Sequence, residues 1–281
     1  MKDLECPAPV SFSLAYTEHR PPADIAPWIA CFWQIVGEAA SGDSLPHRVL
    51  PDGCADLVFD IEHARHGGST PANIVGPMSS ANVFELRNVI EIVGVRLRPG
   101  AIAAFSGIPA GCLLDSSVPL VELPQPLRIS SQTLAECVNP QARFELLADT
   151  CRNRLATLDK PDPVVGYALA KWSYAETSLF PTVSVLSRDI GLSERAFERR
   201  FVAHVGLTPV HYRRLSRFRG VLRLYSEGVR DWAGLAAATG FSDQSHLVRD
   251  FGTFAGLTPT AWAAAQAGRA GFIQDGEITT L

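Results

Sequence analysis

Arg195, Glu198 and Arg199 fall within two helical turns of one another, and so do Gln244, Ser245, His246 and Arg249. These side chains can read base edges in a major groove. Arginine forks onto guanine, glutamine onto adenine, glutamate accepts from the cytosine amino group, and serine serves either role. A helix pair that only packed could carry lysine and glutamate there instead. Three other groups leave alternatives open. His47, Asp52, Cys54 and Asp56 fit a turn followed by a buried strand, a ligand-lining face, or a metal or Cys–His site, because positions 52, 54 and 56 share one face of an extended strand. Arg96 and Arg98 alternate in the same way, to hold an acidic effector or to pair with carboxylates of their own domain. Trp28, Phe32 and Trp33 are either core or a ligand cage. No phosphate loop, dinucleotide fingerprint, nucleophile elbow or zinc-protease motif occurs, so nothing in the sequence supports an enzyme, a cofactor or a metal.

The elements that must position the first two groups form an internal repeat. Gly206-Leu207-Thr208-Pro209 returns as Gly256-Leu257-Thr258-Pro259, fifty residues later. In the first copy, a short helix over Val183 to Asp189 is followed by the turn Gly191-Leu192-Ser193 and a second helix over Glu194 to His204. In the second copy, Asp231 to Ala238 is the short helix, Gly240-Phe241-Ser242 the turn, and Asp243 to Phe254 the second helix, with one more residue after the turn. Gly191 and Gly240 suit the left-handed residue that ends a helix. Ser193 and Ser242 are expected as N-caps. Phe197, Phe201 and Val205 make one buried stripe, and Leu247, Phe251 and Phe254 its counterpart. Short helix, glycine turn and second helix is the helix-turn-helix pattern of DNA-binding proteins. Pro209 to Glu227 reads as a single connecting helix of roughly 27 Å. Such a strut could set two reading helices into successive major grooves, about 34 Å apart. Arg213, Arg214, Arg217, Arg219 and Arg223 lie along it, some to pair internally and others free to touch phosphate.

The charge distribution agrees. The 281-residue chain is net −4, but residues 1–164 hold 12 Lys and Arg against 19 Asp and Glu, while Thr182 to Tyr225 holds nine arginines against three acids. A local basic region is what phosphate attraction requires, whatever the overall charge. With 47% hydrophobic and 19% charged residues, the chain can fill proper cores and is not bulk disorder. No apolar run is long enough to span a membrane, and Met1 to Glu5 opens no signal peptide, so a cytoplasmic location is expected. The six cysteines are scattered without a C-x-x-C pair, as in reduced thiols.

The fold class expected is a multi-domain α+β protein. Residues 1–126 form a β-rich domain, barrel, cupin-like or sandwich, with strands over Cys54 to Ile61 and Val89 to Leu97, a turn at Pro51-Asp52-Gly53 and a short helix from Ala101 to Ser106. Residues 127–163 form a helical segment broken at Asn139-Pro140, then a linker at 159–163. Its apolar positions, Leu134, Val138, Phe144, Leu147, Cys151, Leu155 and Leu158, could serve a homodimer. Residues 164–268 are all-α with two helix-turn-helix units, and 269–281 is a tail.

Gly240-Phe241-Ser242-Asp243-Gln244-Ser245-His246-Leu247, with Arg249, Phe251 and Gly256-Leu257-Thr258-Pro259, resembles the signature of the AraC/XylS family of bacterial transcription regulators. The first unit matches through Leu186, Gly191-Leu192-Ser193, Phe197, Arg199-Arg200-Phe201 and Gly206-Leu207-Thr208-Pro209, and Arg217 matches the family's connecting-helix arginine. Ser187 and Val221 stand where the family usually has alanine. The resemblance implies double-stranded promoter DNA as partner. It also implies base contacts at Arg195, Glu198, Arg199, Gln244, Ser245, His246 and Arg249. Trp28, Trp33, Leu50 to Cys54, Asp56-Leu57-Val58 and Gly94 to Gly100 resemble a sensor-like domain found ahead of such units, which implies a small-molecule effector of unnamed chemistry. Two rival readings remain: an interaction module that kept the helical fold without specific DNA binding, and an enzyme centred on Cys54.

Overall fold

The structure, a computed structural model, describes residues 12–39, 44–68, 71–156, 158, 160–173 and 180–267. Met1 to Glu5, Cys6 and the 269–281 tail lie outside them. The first half runs β1 (Phe12–His19), β2 (Ile29–Ala39), β3 (Ser44–Val49), β4 (Ala55–Asp60), α1 (Ile61–Arg65), β5 (Asn73–Val75), β6 (Asn82–Arg87), β7 (Val89–Leu97), α2 (Ile102–Ser106), a 3-10 turn (Ala110–Leu113), β8 (Ser117–Pro119), a second 3-10 turn (Leu120–Glu122), α3 (Ser131–Ala135) and α4 (Pro140–Leu155). Six strands form one antiparallel sheet in the order β1-β2-β7-β4-β5-β8, and β3 pairs with β6 in a separate ribbon.

Period-two alternation sorts the sheet's two faces. In β4, Ala55, Leu57 and Phe59 are buried in the core, where they join Phe32 of β2 and Val93, Val95 and Leu97 of β7. The register places Phe32 and Leu57 on either side of Val95. Helices α3 and α4 close this core: Leu134, Phe144, Leu147, Ala148 and Cys151 belong to the same apolar cluster as the strands. The stripe that suggested a dimer seam is thus buried inside the chain, and Val138, expected within it, is 89% exposed. Asn139 caps α4 by accepting from the Ala142 amide, which explains the break before Pro140.

The opposite face of the sheet is polar. Trp33 lies there rather than in the core with Trp28 and Phe32. Its indole covers Gly94 so closely that a Cβ at that position would come within 2.2 Å of the ring, and its Nε1 donates to Asp56 at 2.7 Å. Arg96 sits beside it with Glu18, Asp52 and Asp56 at 3.4–3.5 Å. The expected turn at Pro51-Asp52-Gly53 is present: Gly53 has φ +80° and the Asp52 carboxylate accepts from the Cys54 amide.

The second half is helical: α5 (Pro163–Ser173), α6 (Val183–Ile190), α7 (Glu194–Val205), α8 (Pro209–Ser226), α9 (Trp232–Ala238), α10 (Gln244–Ala255) and α11 (Pro259–Ala267). One apolar cluster holds it together, including Trp172, Phe197, Phe201, Phe218, Phe251, Phe254 and Trp262. Burying an aromatic of this kind stabilises by roughly 1.5–3 kcal/mol before cavity effects. No helix among the described residues is long and apolar enough to cross a membrane.

Candidate nucleic-acid interface

The first reading helix is α7. Thr182 opens α6 by accepting from the Val185 amide, Gly191 closes it at φ +76°, and Ser193 then caps α7 through the Ala196 amide. Phe197, Phe201 and Val205 are fully buried, which fixes the rotation of α7 about its axis. Trp172 of α5 meets Phe201 edge-on at 5.6 Å and backs this stripe. Arg195, Glu198 and Arg199 therefore face outward, and all three are exposed. Arg200 is turned aside instead, onto Asp162 at 2.7 Å, and His204 lies 3.5 Å from the same carboxylate. Partial burial works to raise the Asp162 carboxyl, but the Val165 amide, Arg200 and His204 together hold it below the usual carboxylate range. Asp162 also accepts from the Val164 and Val165 amides at the start of α5, so the stretch expected as a plain linker ties α5 to α7.

The second reading helix, α10, is set by the same logic with one shift. Asp231 caps α9 through the Ala233 and Gly234 amides, and Gly240 follows with φ +74°. The cap of α10 is Asp243, not Ser242: Asp243 accepts from the His246 amide, while Ser242 donates to the Asp243 carboxylate. The extra residue after this turn moves the cap position along by one. The His246 amide and the Ser242 hydroxyl hold the Asp243 carboxyl below its ordinary range. Gln244, Ser245 and Arg249 are exposed, and His246 is half-buried. The His246 ring stands edge-on to Phe241 at 5.2 Å, and its Nδ1 lies 3.2 Å from the Ser242 hydroxyl. His246 therefore offers only part of its ring to a ligand.

The strut α8 is an unbroken helix of 18 residues, opened by Thr208 and Pro209. Its arginines hold the domain together. Arg213 donates to the Phe180 carbonyl, Arg214 forks onto Asp250 at 2.8 Å, and Arg217 reaches the Gly240 carbonyl while stacking over Phe241 at 4.8 Å. Arg219 donates to the Asp52 carbonyl, and Arg223 pairs with Glu227 at 3.6 Å. Burial, reinforced by neighbouring Arg213, works against the charge on Arg217, and buried Asp250 opposes this from 3.8 Å. Each strut arginine has a partner within the chain: Arg213, Arg214 and Arg217 within the helical half, Arg219 in the N-terminal half, and the half-exposed Arg223 at the end of its own helix.

Residues 186–265 match the model of a helix-turn-helix domain, and residues 17–119 match a domain of unknown function (DUF6597). The chain is a DNA-binding transcription regulator with a helix-turn-helix domain in its helical half. Among solved structures, the regulator is similar to the DNA-binding domain of the global transcriptional factor AdpA in complex with a target DNA. That likeness has 24% identity over 39% of this chain and 97% of that one, at a TM-score of 0.36. It is similar to an AraC-type regulator from Chromobacterium violaceum (22% identity, 39% and 96% covered, TM-score 0.35). ToxT from Vibrio cholerae aligns over 90% of this chain and 97% of its own, at 8% identity and a TM-score of 0.43. No curated protein matches the chain in sequence.

In the regulator's N-terminal half, the other sequence candidates separate. Asp52 and Asp56 converge on Arg96, whereas Arg98 donates outward to the Ala26 carbonyl. His47 is buried in β3, where desolvation pushes its imidazole below the ordinary range. Burial raises the Asp56 carboxyl against the pull of Arg96, and pushes the candidate Cys54 thiol well above its ordinary range. A thiol so raised is a poor nucleophile. Among the described residues no group of three His, Cys, Asp or Glu side chains is placed to hold a metal. Sequence reasoning missed Asp162 and Trp172. Asp162 has a local signal, as the residue before Pro163 that accepts from the Val164 and Val165 amides, but its pairing with Arg200 lies 38 positions away, and Trp172 reaches the Pro181 carbonyl nine positions on.

Proposed function

We propose that the two reading faces engage successive major grooves of one promoter. Arg195 and Arg199 would then meet guanine and Glu198 a cytosine amino group in the first groove, and Gln244 adenine and Arg249 guanine in the second, with Ser245 and the open edge of His246 beside them. One observation carries this reading. Six of the seven side chains are exposed on helices whose opposite faces are fully buried, so their direction is imposed by the core. Phosphate attraction from the basic helical half would supply affinity and the reading faces preference.

The test is selection of preferred duplexes from a random pool with the full chain, followed by the double variant Arg199→Ala, Arg249→Ala. The variant is expected to lose preference for the selected duplex over random DNA while keeping salt-sensitive binding to both. Retained preference would mean that the readers are misassigned.

The N-terminal domain is the natural seat of a small-molecule effector in a cytoplasmic regulator of this kind. The polar sheet face around Arg96 supports such a role. An acidic effector is disfavoured at Arg96 itself, which three carboxylates already surround.

A further inference from the structure

The repeat's two corner motifs share a property that the repeat alone does not explain: the N-terminal half touches both. At the first corner, Gly206 has φ +86°, and a Cβ built there would stand 2.9 Å from the Ala110 carbonyl oxygen and 3.3 Å from Pro77. Nearby, a Cβ at Gly111 would meet the Val202 side chain of α7 at 3.1 Å. At the second corner the contact is polar. The Ala81 amide donates to the Phe254 carbonyl at 3.0 Å, and Arg48 donates to the Ala255 carbonyl at 2.9 Å, its guanidinium also lying 3.1 Å from where a Gly256 Cβ would stand. The last four carbonyls of a helix have no partner within it, and its C-terminal end favours a cation. The other domain thus supplies the C-terminal cap of the second reading helix.

Between the corners the same half rests on α8. Arg219 donates to the Asp52 carbonyl at 3.1 Å, His211 Nε2 lies 3.2 Å from the Ser79 carbonyl, and Gly53 lies flat on the Tyr212 ring, where a Cβ would come within 2.6 Å. Leu50 is 2% exposed and belongs to the apolar cluster of the helical half, with Ala81 and Leu114 packed against it. The contacts gather at the C-terminal ends of α7 and α10, whereas the reading residues begin at their N-terminal ends. The N-terminal half therefore grips both units and leaves the readers exposed.

We propose that this clasp fixes the relation between the two units, so that the half-site spacing the regulator accepts is determined by Arg48, Gly53, Ala81, Ala110 and Gly111, none of which belongs to the DNA-binding domain. The proposal rests on the two-groove reading given above. It also offers a route inward: Asp52, whose carbonyl holds Arg219, has its carboxylate 3.5 Å from Arg96, so a change at the polar sheet face reaches the strut through a single residue.

The test uses the full chain and random duplexes roughly three helical turns long, from which a bipartite site is selected with the unaltered protein. Binding is then measured on that site and on versions with one or two base pairs inserted between its halves. The unaltered protein is expected to lose at least about 10-fold on insertion, because one reader is rotated off its groove. The variant Arg48→Ala, Gly111→Leu removes the cap at one corner and wedges the other without touching a reader. It should lose less than about 3-fold on the same insertions, while its affinity for an isolated half-site stays unchanged. Amide exchange at Ala81 reports the clasp directly and should accelerate in the variant. An opened clasp with the spacing preference intact would overturn the proposal, since α8 alone would then set the relation. A protected Ala81 amide in the variant would overturn it too, since Arg48 and Gly111 would not be what holds the halves together. If selection returned only a single half-site, the two-groove reading would fail first and carry the clasp with it.

Discussion

The two helix-turn-helix units share a motif and differ in what stands behind it. The first is backed by α5, through Trp172 and the partly exposed cluster of Asp162, Arg200 and His204. The second is backed by the strut itself, through buried Asp250 with Arg214 and Arg217, and is capped at its far end from the N-terminal half. The ion pairs behind the two units span similar separations, 38 positions in the first and 36 in the second, and differ in how deeply the carboxylate is buried. Duplication conserves the shape of a corner but not its support, because each copy meets a different surface.

This contrast can be broken most forcefully at Asp250. Its side chain is 3% exposed beside an Arg217 that is 7% exposed, so Asp250→Ala strands a buried guanidinium. A loss of about 3–5 kcal/mol is expected, by urea denaturation followed at the tryptophans. Asp162→Ala removes the cap of α5 and a pair open to solvent on its arginine side, and should cost about 1–2 kcal/mol. Equal losses would show that the two supports are equivalent after all. Next come the readers. Arg199→Ala and Arg249→Ala, made singly, should each cost about 1–3 kcal/mol of discrimination at one half of the selected site and nothing at the other. Footprint titration on half-site mutants would reveal any crossover.

The smallest effects lie at the helix starts. Ser193→Ala should destabilise by about 1 kcal/mol, read from the midpoint of denaturation. The second unit should instead show a pH dependence that the first helix start lacks. The Asp243 carboxyl titrates lower when folded than when unfolded. Its contribution is therefore complete above the unfolded carboxylate value near ~4 and is lost as pH falls through the lower folded value. Amide exchange at His246 should accelerate in that acid window while exchange at Ala196 follows only the intrinsic rate. Parallel behaviour of the two amides would remove the distinction between the caps.

Much of the helical half was legible because its signals are local. Glycines at helix ends, prolines in first turns and apolar stripes act within a few residues, so α6, α7, α8, α9 and α10 fall where periodicity places them, within a residue or two. The N-terminal half was legible only in parts. The strand Val89–Leu97 and the turn before Cys54 were readable, but the partition into a six-stranded sheet and a two-stranded ribbon depends on pairings such as Val49 with Asn82, which no local pattern encodes. Ser242 lost its expected cap role to Asp243 because a carboxylate one residue on reaches the same amides.

From the chain alone came two copies of a turn, the polar side chains they carry and the directions those must take once the aromatic stripes are buried. All of that follows from spacing, which covalent geometry converts into faces. The tertiary structure decided where the charges went. Five strut arginines that composition could offer to phosphate were each given an internal partner, and Arg48, remote in sequence, was set against the end of α10. Such assignments depend on which surfaces meet, and a buried cation takes whatever acceptor the packing brings within reach.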